Sequence, residues 1–422
     1  MRVLGVTDSD SYIKWGAAIL DRMPADWQTN LVVIRTPALP SESQRVSALS
    51  GTRFGAADVP LVDLADLARL VADEQPDVVL LSVRGPVVRV LVRMIDSAMP
   101  HRPVIVSGLP GISIPETMLA LYYRSRVDLM LLHSKREITA FRALAASLGI
   151  EQDFGLATLP FLTDDRGSST GGGDIVFAAQ AKVPATLSDR LLVMQWLAET
   201  ARRHPESRVV VKLRGVAGEA QTHSERYPFD VILEGMTEVP ENLVVSTGPM
   251  AEHLERASAL VTVSSTAAIE AIAAGVPVLA IDDFGVTARL INLVFEGSGL
   301  LAGSDALISG DFRHPDATWL DENYFHPLAD ETWITAIEAA VVRRESGAFP
   351  LRPQFRATVG GNLRRIWDRK RALGQYDTTL GGYAALAVGL PLRWGVRRLR
   401  AVRARLRGPA DTSSRPALER VR

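Results

Sequence analysis

Ser264, Ser265 and Thr266 stand in an unbroken row, and Glu270 follows four residues after Thr266. They belong to VTVSSTAAIEAIAAGVPVLAIDD, residues 261–283, where a Val-rich run gives way to an Ala-rich segment before Gly275, Pro277 and a second apolar run. The pattern predicts a strand, a turn of small hydroxyl residues and a helix. Backbone N–H groups and the dipole at the start of a helix attract an anion, and small side chains let a phosphate come close. Glu270 would lie about 6 Å further along the axis at ~1.5 Å per residue, a reach suited to ribose hydroxyls rather than to the phosphate. The same residues also suit a plain helix cap followed by a solvated carboxylate.

Other strand ends carry further chemistry. Lys182 follows the run DIVFAAQ, and Lys212 and Arg214 follow SRVVV, so all three cations suit a leaving phosphate, or else a solvated surface. Asp8, Ser9 and Asp10 leave the first apolar run together, and Asp8 or Asp10 suits a general base or a helix cap. Lys14 lies one turn on. SGLPGIS, residues 107–113, offers Gly108 and Gly111 in a loop suited to an acceptor. His133 closes DLMLLHS and is a second base candidate, while His326 in NYFHP has no metal-spaced partner; both also read as structural. No metal site and no bound cofactor are expected.

The elements that must position these residues follow from the apolar pattern. RVLGVT, NLVVIR, DVVLLSV, RPVIVSG and DLMLLHS are short Val/Ile/Leu runs, as in strands buried on both faces, and helical patterns lie between them. Such alternation gives a doubly wound parallel sheet. DDRGSSTGGGD then reads as a linker, after which the pattern restarts. The expected fold is α/β, with two Rossmann-like domains facing a cleft. Residues 1–165 form an N-terminal acceptor domain, 166–173 a linker and 174–345 a C-terminal donor domain. Residues 346–380 form helices returning to the N-terminal domain, and 381–422 a basic amphipathic tail.

Composition sets limits. With 422 residues, 47% of them apolar, the chain can bury two cores. It has no cysteine, which excludes disulfides, thiolate metal sites and a Cys nucleophile and fits a reducing compartment. MRVLGVTDSDSY reads as a first strand rather than a signal peptide, and no run reaches the roughly 18 apolar residues of a membrane span. Gly-x-Ser-x-Gly, Walker and Gly-x-Gly-x-x-Gly motifs are missing, which argues against a hydrolase, a P-loop NTPase or a typical NAD enzyme. Formal net charge is -1, yet residues 364–422 hold 15 Lys or Arg against 4 Asp or Glu. RWGVRRLRAVRARLRG, residues 393–408, puts most of its seven arginines opposite an apolar stripe. That suits an anionic membrane surface; nucleic acid is not expected, because there is little aromatic interleaving. The expected location is cytoplasmic, on the inner face of the membrane.

The stretch 261–283 resembles the donor-nucleotide segment of GT-B glycosyltransferases. DSDSYIKWGAAIL, SGLPGISIPETMLALYYRSRVDLMLLHS and FAAQAKVP resemble a family of bacterial proteins taken for glycosyltransferases, over most of residues 1–345. The resemblance implies sugar transfer from a nucleotide donor, with the phosphate on Ser264, Ser265 and Thr266 and the ribose on Glu270. Gln180 resembles a glutamine that follows the same strand in capsule-type transferases, although Ala181 stands where those have proline. Asp282 and Asp283 fall where such enzymes contact the donor sugar, and equally where a turn is capped. The acceptor is a glycan, a lipid-linked glycan of the cell envelope, or a small molecule. Two alternatives remain: a sugar-nucleotide 2-epimerase, whose proton carriers would be Asp8, Asp10 and His133, and a non-catalytic scaffold held at the membrane.

Overall fold

A computed structural model describes residues 1–99, 101–162, 172–213, 225–347, 361–389, 391 and 398. The expected linker lies largely outside them, as do Arg214 and most of the basic tail. Contacts divide the chain into two units, one of Met1–Ile34 with Ala38–Arg352 and one of Arg35–Pro37 with Pro353–Arg422.

The first unit holds two parallel sheets. One takes β1 (Arg2–Thr7), β2 (Gln28–Ile34), β3 (Leu61–Val62), β4 (Val78–Ser82), β5 (Val104–Gly108), β6 (Leu129–Leu132) and β7 (Asp153–Leu156), ordered β3-β2-β1-β4-β5-β6-β7. The other takes β8 (Asp174–Ala178), β9 (Val209–Lys212), β10 (Leu243–Ser246), β11 (Ala257–Thr262), β12 (Val278–Ile281) and β13 (Leu301–Ala302), ordered β10-β9-β8-β11-β12-β13. Every residue of β4, β5 and β6 is buried, which is why these strands are continuous apolar runs instead of alternating ones. In each sheet the strand order reverses once, between β1 and β4 and between β8 and β11. Loops part at such a switch point and leave a crevice at the strands' carboxyl ends.

The chain then goes back. Helix Trp333–Glu345 packs beneath the first sheet: Trp333, Ile337, Ala340 and Val341 share a core with Val104, Val106, Leu129 and Leu131. Gly155 on β7 permits this approach, since a Cβ there would lie 3.1 Å from the Trp333 Cα. The return therefore comes before residue 345, where the sequence pattern puts the end of the donor domain. The helical period records a buried face but not the sheet that buries it. The passage is fastened beside the end of β7. Thr332 donates its amide to the Leu156 carbonyl at 3.0 Å, and Leu156 donates to the Thr332 hydroxyl at 3.0 Å. Glu331 accepts from the Thr158 amide at 2.6 Å and from Arg22 at 2.6 Å.

In the second unit, helix Gly361–Leu373 is followed by a turn and a helical stretch over 380–389. Lys370 is buried there, donating to the Asp377 carbonyl at 2.5 Å with its ammonium 3.6 Å from the Tyr383 ring centre.

Candidate functional site

At the β8/β11 switch point a glutamine joins the two strand ends. Gln180, just past β8, turns its Oε1 to the Ser264 amide at 3.0 Å and the Ser264 hydroxyl at 3.1 Å. The Ser265 amide donates to the Thr262 hydroxyl at 3.1 Å, and the Ser265 hydroxyl accepts from the Ala267 amide at 3.2 Å. The row of peptide donors expected at 264–266 is thus mostly closed upon itself, and Ser265 is a buried cap. The reason is general: amides buried at a strand-to-helix turn must find acceptors, and neighbouring side chains provide them. Three groups on two residues stay open. Thr266 keeps its amide and hydroxyl, and Gln180 its Nε2, without a partner among the described residues. Both residues are half-buried. Glu270 is half-buried too and, four residues after Thr266, shares its side of helix Ala267–Ala273.

Arg190 holds this turn from behind. It is 1% exposed, donates to the Gln180 and Ala181 carbonyls at 2.8 and 2.9 Å, pairs with Glu225 and stacks on Phe229. Lys212 ends β9 and is nearly buried, whereas Lys182 is exposed. Asp282 is half-buried, and Asp283 accepts from the Ser304 amide and hydroxyl, both at 2.8 Å, fastening the start of helix Ser304–Ser309. Asp283 is thus engaged at a helix start 21 residues further on, and not at the turn that follows it.

At the β1/β4 switch point an ion pair takes the same place. Asp8 is 0% exposed and accepts from the Arg84 Nε at 2.8 Å and the Arg84 amide at 3.2 Å. Burial pushes the Asp8 carboxyl above its usual range, with Arg84 pulling it part of the way back. Ser9 directs its hydroxyl to Asp8 at 3.1 Å rather than capping helix Asp10–Asp21. Asp10, the first residue of that helix, is half-buried and Lys14 is exposed.

His133 belongs to the framework. The Trp15 indole donates to its Nε2 at 2.7 Å, and its Nδ1 lies 2.6 Å from the Ala157 carbonyl. Nε2 also lies 2.9 Å from the Leu109 carbonyl; full burial lowers the ring's pKa and favours its neutral form. Fully buried, with both nitrogens engaged, His133 has none to offer a substrate, which corrects its reading as a base. Gly108 makes room for Trp15, since a Cβ there would meet the indole at 2.5 Å. His326 is also buried, 3.3 Å from the Thr158 hydroxyl.

The loop after β5 brings the two sheets together. Ile114 packs into the second domain's core with Ala267, Ala268 and Ile269, and a Cβ on Gly111 would stand 3.5 Å from the Thr266 hydroxyl. Glu137 sets the loop. This buried carboxylate accepts from the Ser113 amide at 2.8 Å, the His133 amide at 2.9 Å and the Tyr324 hydroxyl at 2.7 Å. Burial, and then the Glu137 charge, pushes the Tyr324 phenol well above its usual value and keeps it a donor. Beside it Arg136 donates to the Leu293 and Val294 carbonyls at 3.0 and 3.1 Å, and Lys135 pairs with Asp321 and Asp330. The sequence reading missed Glu137. Its one visible signal was the Ser-x-x-Glu spacing from Ser134, whose hydroxyl does cap the Glu137 amide at 3.0 Å.

Residues 3–340 match the family described as "Putative glycosyltransferase (DUF6716)". The chain belongs to this family. Its members are read as transferases, and the chain is accordingly an enzyme of that class. A search of curated proteins found no match. Among solved structures it is similar to a UDP-N-acetylglucosamine 2-epimerase from Listeria monocytogenes, itself so named on a provisional basis, at 13% identity and TM-score 0.50, over 84% of this chain and 98% of that one. The Neisseria meningitidis UDP-GlcNAc 2-epimerase bound to UDP-GlcNAc is similar at 14% identity and TM-score 0.48, over 82% and 100%. Phytolacca americana UGT2, complexed with UDP-2-fluoro-glucose and pterostilbene, gives 10% and 0.45, over 82% and 94%. At such identities the likeness is one of fold. The chain's two Rossmann-like domains have the GT-B architecture.

Proposed function

We propose that the protein transfers a sugar from a nucleotide-sugar held at the β8/β11 switch point to an acceptor held at the β1/β4 switch point. The observation that carries this is the approach of Gly111, on a loop of the first sheet, to Thr266 at the turn of the second. One molecule lying against Thr266 would lie against the first domain as well. In this reading Thr266 and the Gln180 amide bind the diphosphate, Glu270 the ribose, Asp282 the donor sugar, and Lys182 and Lys212 neutralise the leaving nucleotide without a metal. Asp8 is fully buried behind Arg84 whereas Asp10, at the start of helix Asp10–Asp21, is half-buried, so the base role goes to Asp10. The epimerase alternative loses support, because His133 has no nitrogen to move a proton on carbon.

A thermal-shift panel of UDP-, GDP-, dTDP- and CMP-sugars in EDTA tests the donor half. A ligand at a hundred times its Kd adds about 2.7 kcal/mol of apparent stability. One sugar nucleotide should raise Tm and Gln180→Ala should weaken it at least tenfold; a flat panel sinks the reading, and a response that needs added Mg²⁺ sinks its metal-free part. Asp10→Asn should lower turnover by about 100-fold or more with nucleotide affinity kept. Unchanged turnover would move the base elsewhere. We further infer that the second unit meets an anionic membrane surface, a reading supported by the exposure of Leu363, Leu380, Tyr383 and Val388 alongside Arg364 and Arg365.

A further inference from the structure

Arg190 is buried near the start of helix Leu187–Arg203, and every hydrogen of its guanidinium has an acceptor. Nε donates to the Pro184 carbonyl at 2.9 Å. Nη1 donates to Glu225 and, at 2.7 Å, to the Tyr227 carbonyl. Nη2 donates to two successive carbonyls, Gln180 at 2.8 Å and Ala181 at 2.9 Å. Five donors thus meet five acceptors, which a lysine with three donors cannot do. Glu225 answers the charge, so the arrangement is complete on the core side of the turn.

Its effect on the other side follows from the peptide unit. In a planar trans peptide the C=O of one residue and the N–H of the next point in opposite directions. The cis bonds among the described residues are Ile114–Pro115 and Val183–Pro184, so the units from Gln180 to Ala181 and from Ala181 to Lys182 are trans. Holding both carbonyls toward Arg190 therefore turns the Ala181 and Lys182 amides together to the side away from it, where Ala181 is half-buried and Lys182 exposed. Neither amide has a partner among the described residues. Successive amides turned one way form a concave anion site. Both directly follow Gln180, whose side chain joins the end of β8 to Ser264, so they stand at the β8/β11 switch point. An amide that meets only water needs no fixed direction, whereas burying an arginine to fix two of them carries a desolvation cost.

We infer that the Ala181 and Lys182 amides take a phosphate of the donor, next to the Gln180 Nε2, and that Arg190 is the positioning residue that presents them. The word donor rests on the transferase reading, while the preference for an anion rests on this turn alone. Proline has no N–H, and proline is what the resembling capsule-type transferases carry at the position of Ala181. The first of the two amides is therefore an addition of this chain, and the same replacement removes it.

Titration calorimetry on the full chain uses three probes: the sugar nucleotide found in the panel, its nucleoside, and inorganic pyrophosphate. Ala181→Pro deletes one amide and keeps the carbonyl that Arg190 holds, and should weaken the sugar nucleotide and pyrophosphate about threefold to tenfold. Arg190→Lys releases both peptide units and should weaken the same two probes tenfold or more; Ala181→Pro carries the test if Arg190→Lys does not fold. Both variants should keep the wild-type affinity for the nucleoside, which a general collapse of the site would not spare. Unchanged binding of the anionic probes in Ala181→Pro, or a loss shared equally by the nucleoside, would overturn the inference. A wild type that binds pyrophosphate through Ala181 yet binds no sugar nucleotide would sink the transferase reading and leave the anion site standing. Binding of neither would end both.

Discussion

A single neutral histidine shows how far residue type alone can mislead. His133 ends a strand beside the crevice, as a base would, but Trp15 and Ala157 fix its ring inside the wall. The consequence is a pH dependence of stability rather than of chemistry. Its folded pKa is depressed below the ordinary 6.5, as is that of His326, in both cases mainly by burial. Below that value the unfolded chain takes up protons that the folded chain refuses, so the stability the neutral rings provide is complete above pH 6.5 and falls as the pH drops. The slope approaches about 1.4 kcal/mol per pH unit for each such histidine. Denaturant melts between pH 7 and 5 should show that decline, and it should be shallower in His133→Gln, although that variant starts less stable. An identical slope would mean that His133 is not the neutral buried group described. Residues at strand ends were legible in the sequence, because a strand's carboxyl end is visible where an apolar run stops; Asp8 and Ser264 were found that way, and Gln180 through the resemblance. Their partners were not legible. Nothing in the spacing tells that Arg84 meets Asp8, or that Arg190 would be buried among the carbonyls of two loops.

At the scale of elements, the opening turn of helix Lys135–Leu148 joins what the sheets keep apart. Three consecutive side chains reach three destinations: Lys135 goes to Asp321 and Asp330, Arg136 to the carbonyls of Leu293 and Val294, and Glu137 to Ser113, His133 and Tyr324. Removing Glu137 would leave a half-buried amide, a buried amide and a buried phenol unmatched, at about 1–3 kcal/mol for each donor that finds no water. Glu137→Ala should therefore lower stability by about 3 kcal/mol or more in urea melts. It should also weaken sugar-nucleotide binding, because the loop carrying Gly111 loses its anchor; a stable variant with native affinity would show that the loop is set by its Ile114 packing alone. The helix itself was readable from its period. Its first turn gave no sign of this role, since Lys135, Arg136 and Glu137 form a short charge run, and such runs usually lie in solvent.

For the whole molecule, the fold was mostly legible because parallel strands buried on both faces announce themselves as uninterrupted Val, Ile and Leu. The exception was the chain's return, since a helix with one apolar side fits beneath either sheet. Trp333 decides the matter, and losing so large a buried side chain costs about 3–5 kcal/mol. A chain ending after residue 347 keeps helix Trp333–Glu345 and should melt in one cooperative transition close to the parent's, whereas one ending at residue 322 should not fold. The 347-residue chain should also lose whatever affinity the parent has for vesicles rich in anionic lipid over neutral ones. Undiminished vesicle binding would take the membrane contact away from the second unit.

The stretch 156–158 and the stretch 331–333 lie bonded side by side, so the polypeptide passes between its halves twice at one spot. A lone tether would let one half tumble against the other. A doubled one behaves like the spine of a book and resists twisting and sliding. Because Ile114 and the opening turn of helix Lys135–Leu148 hold the halves together again at the loop, widening the gap between Gly111 and Thr266 would first have to unseat those contacts.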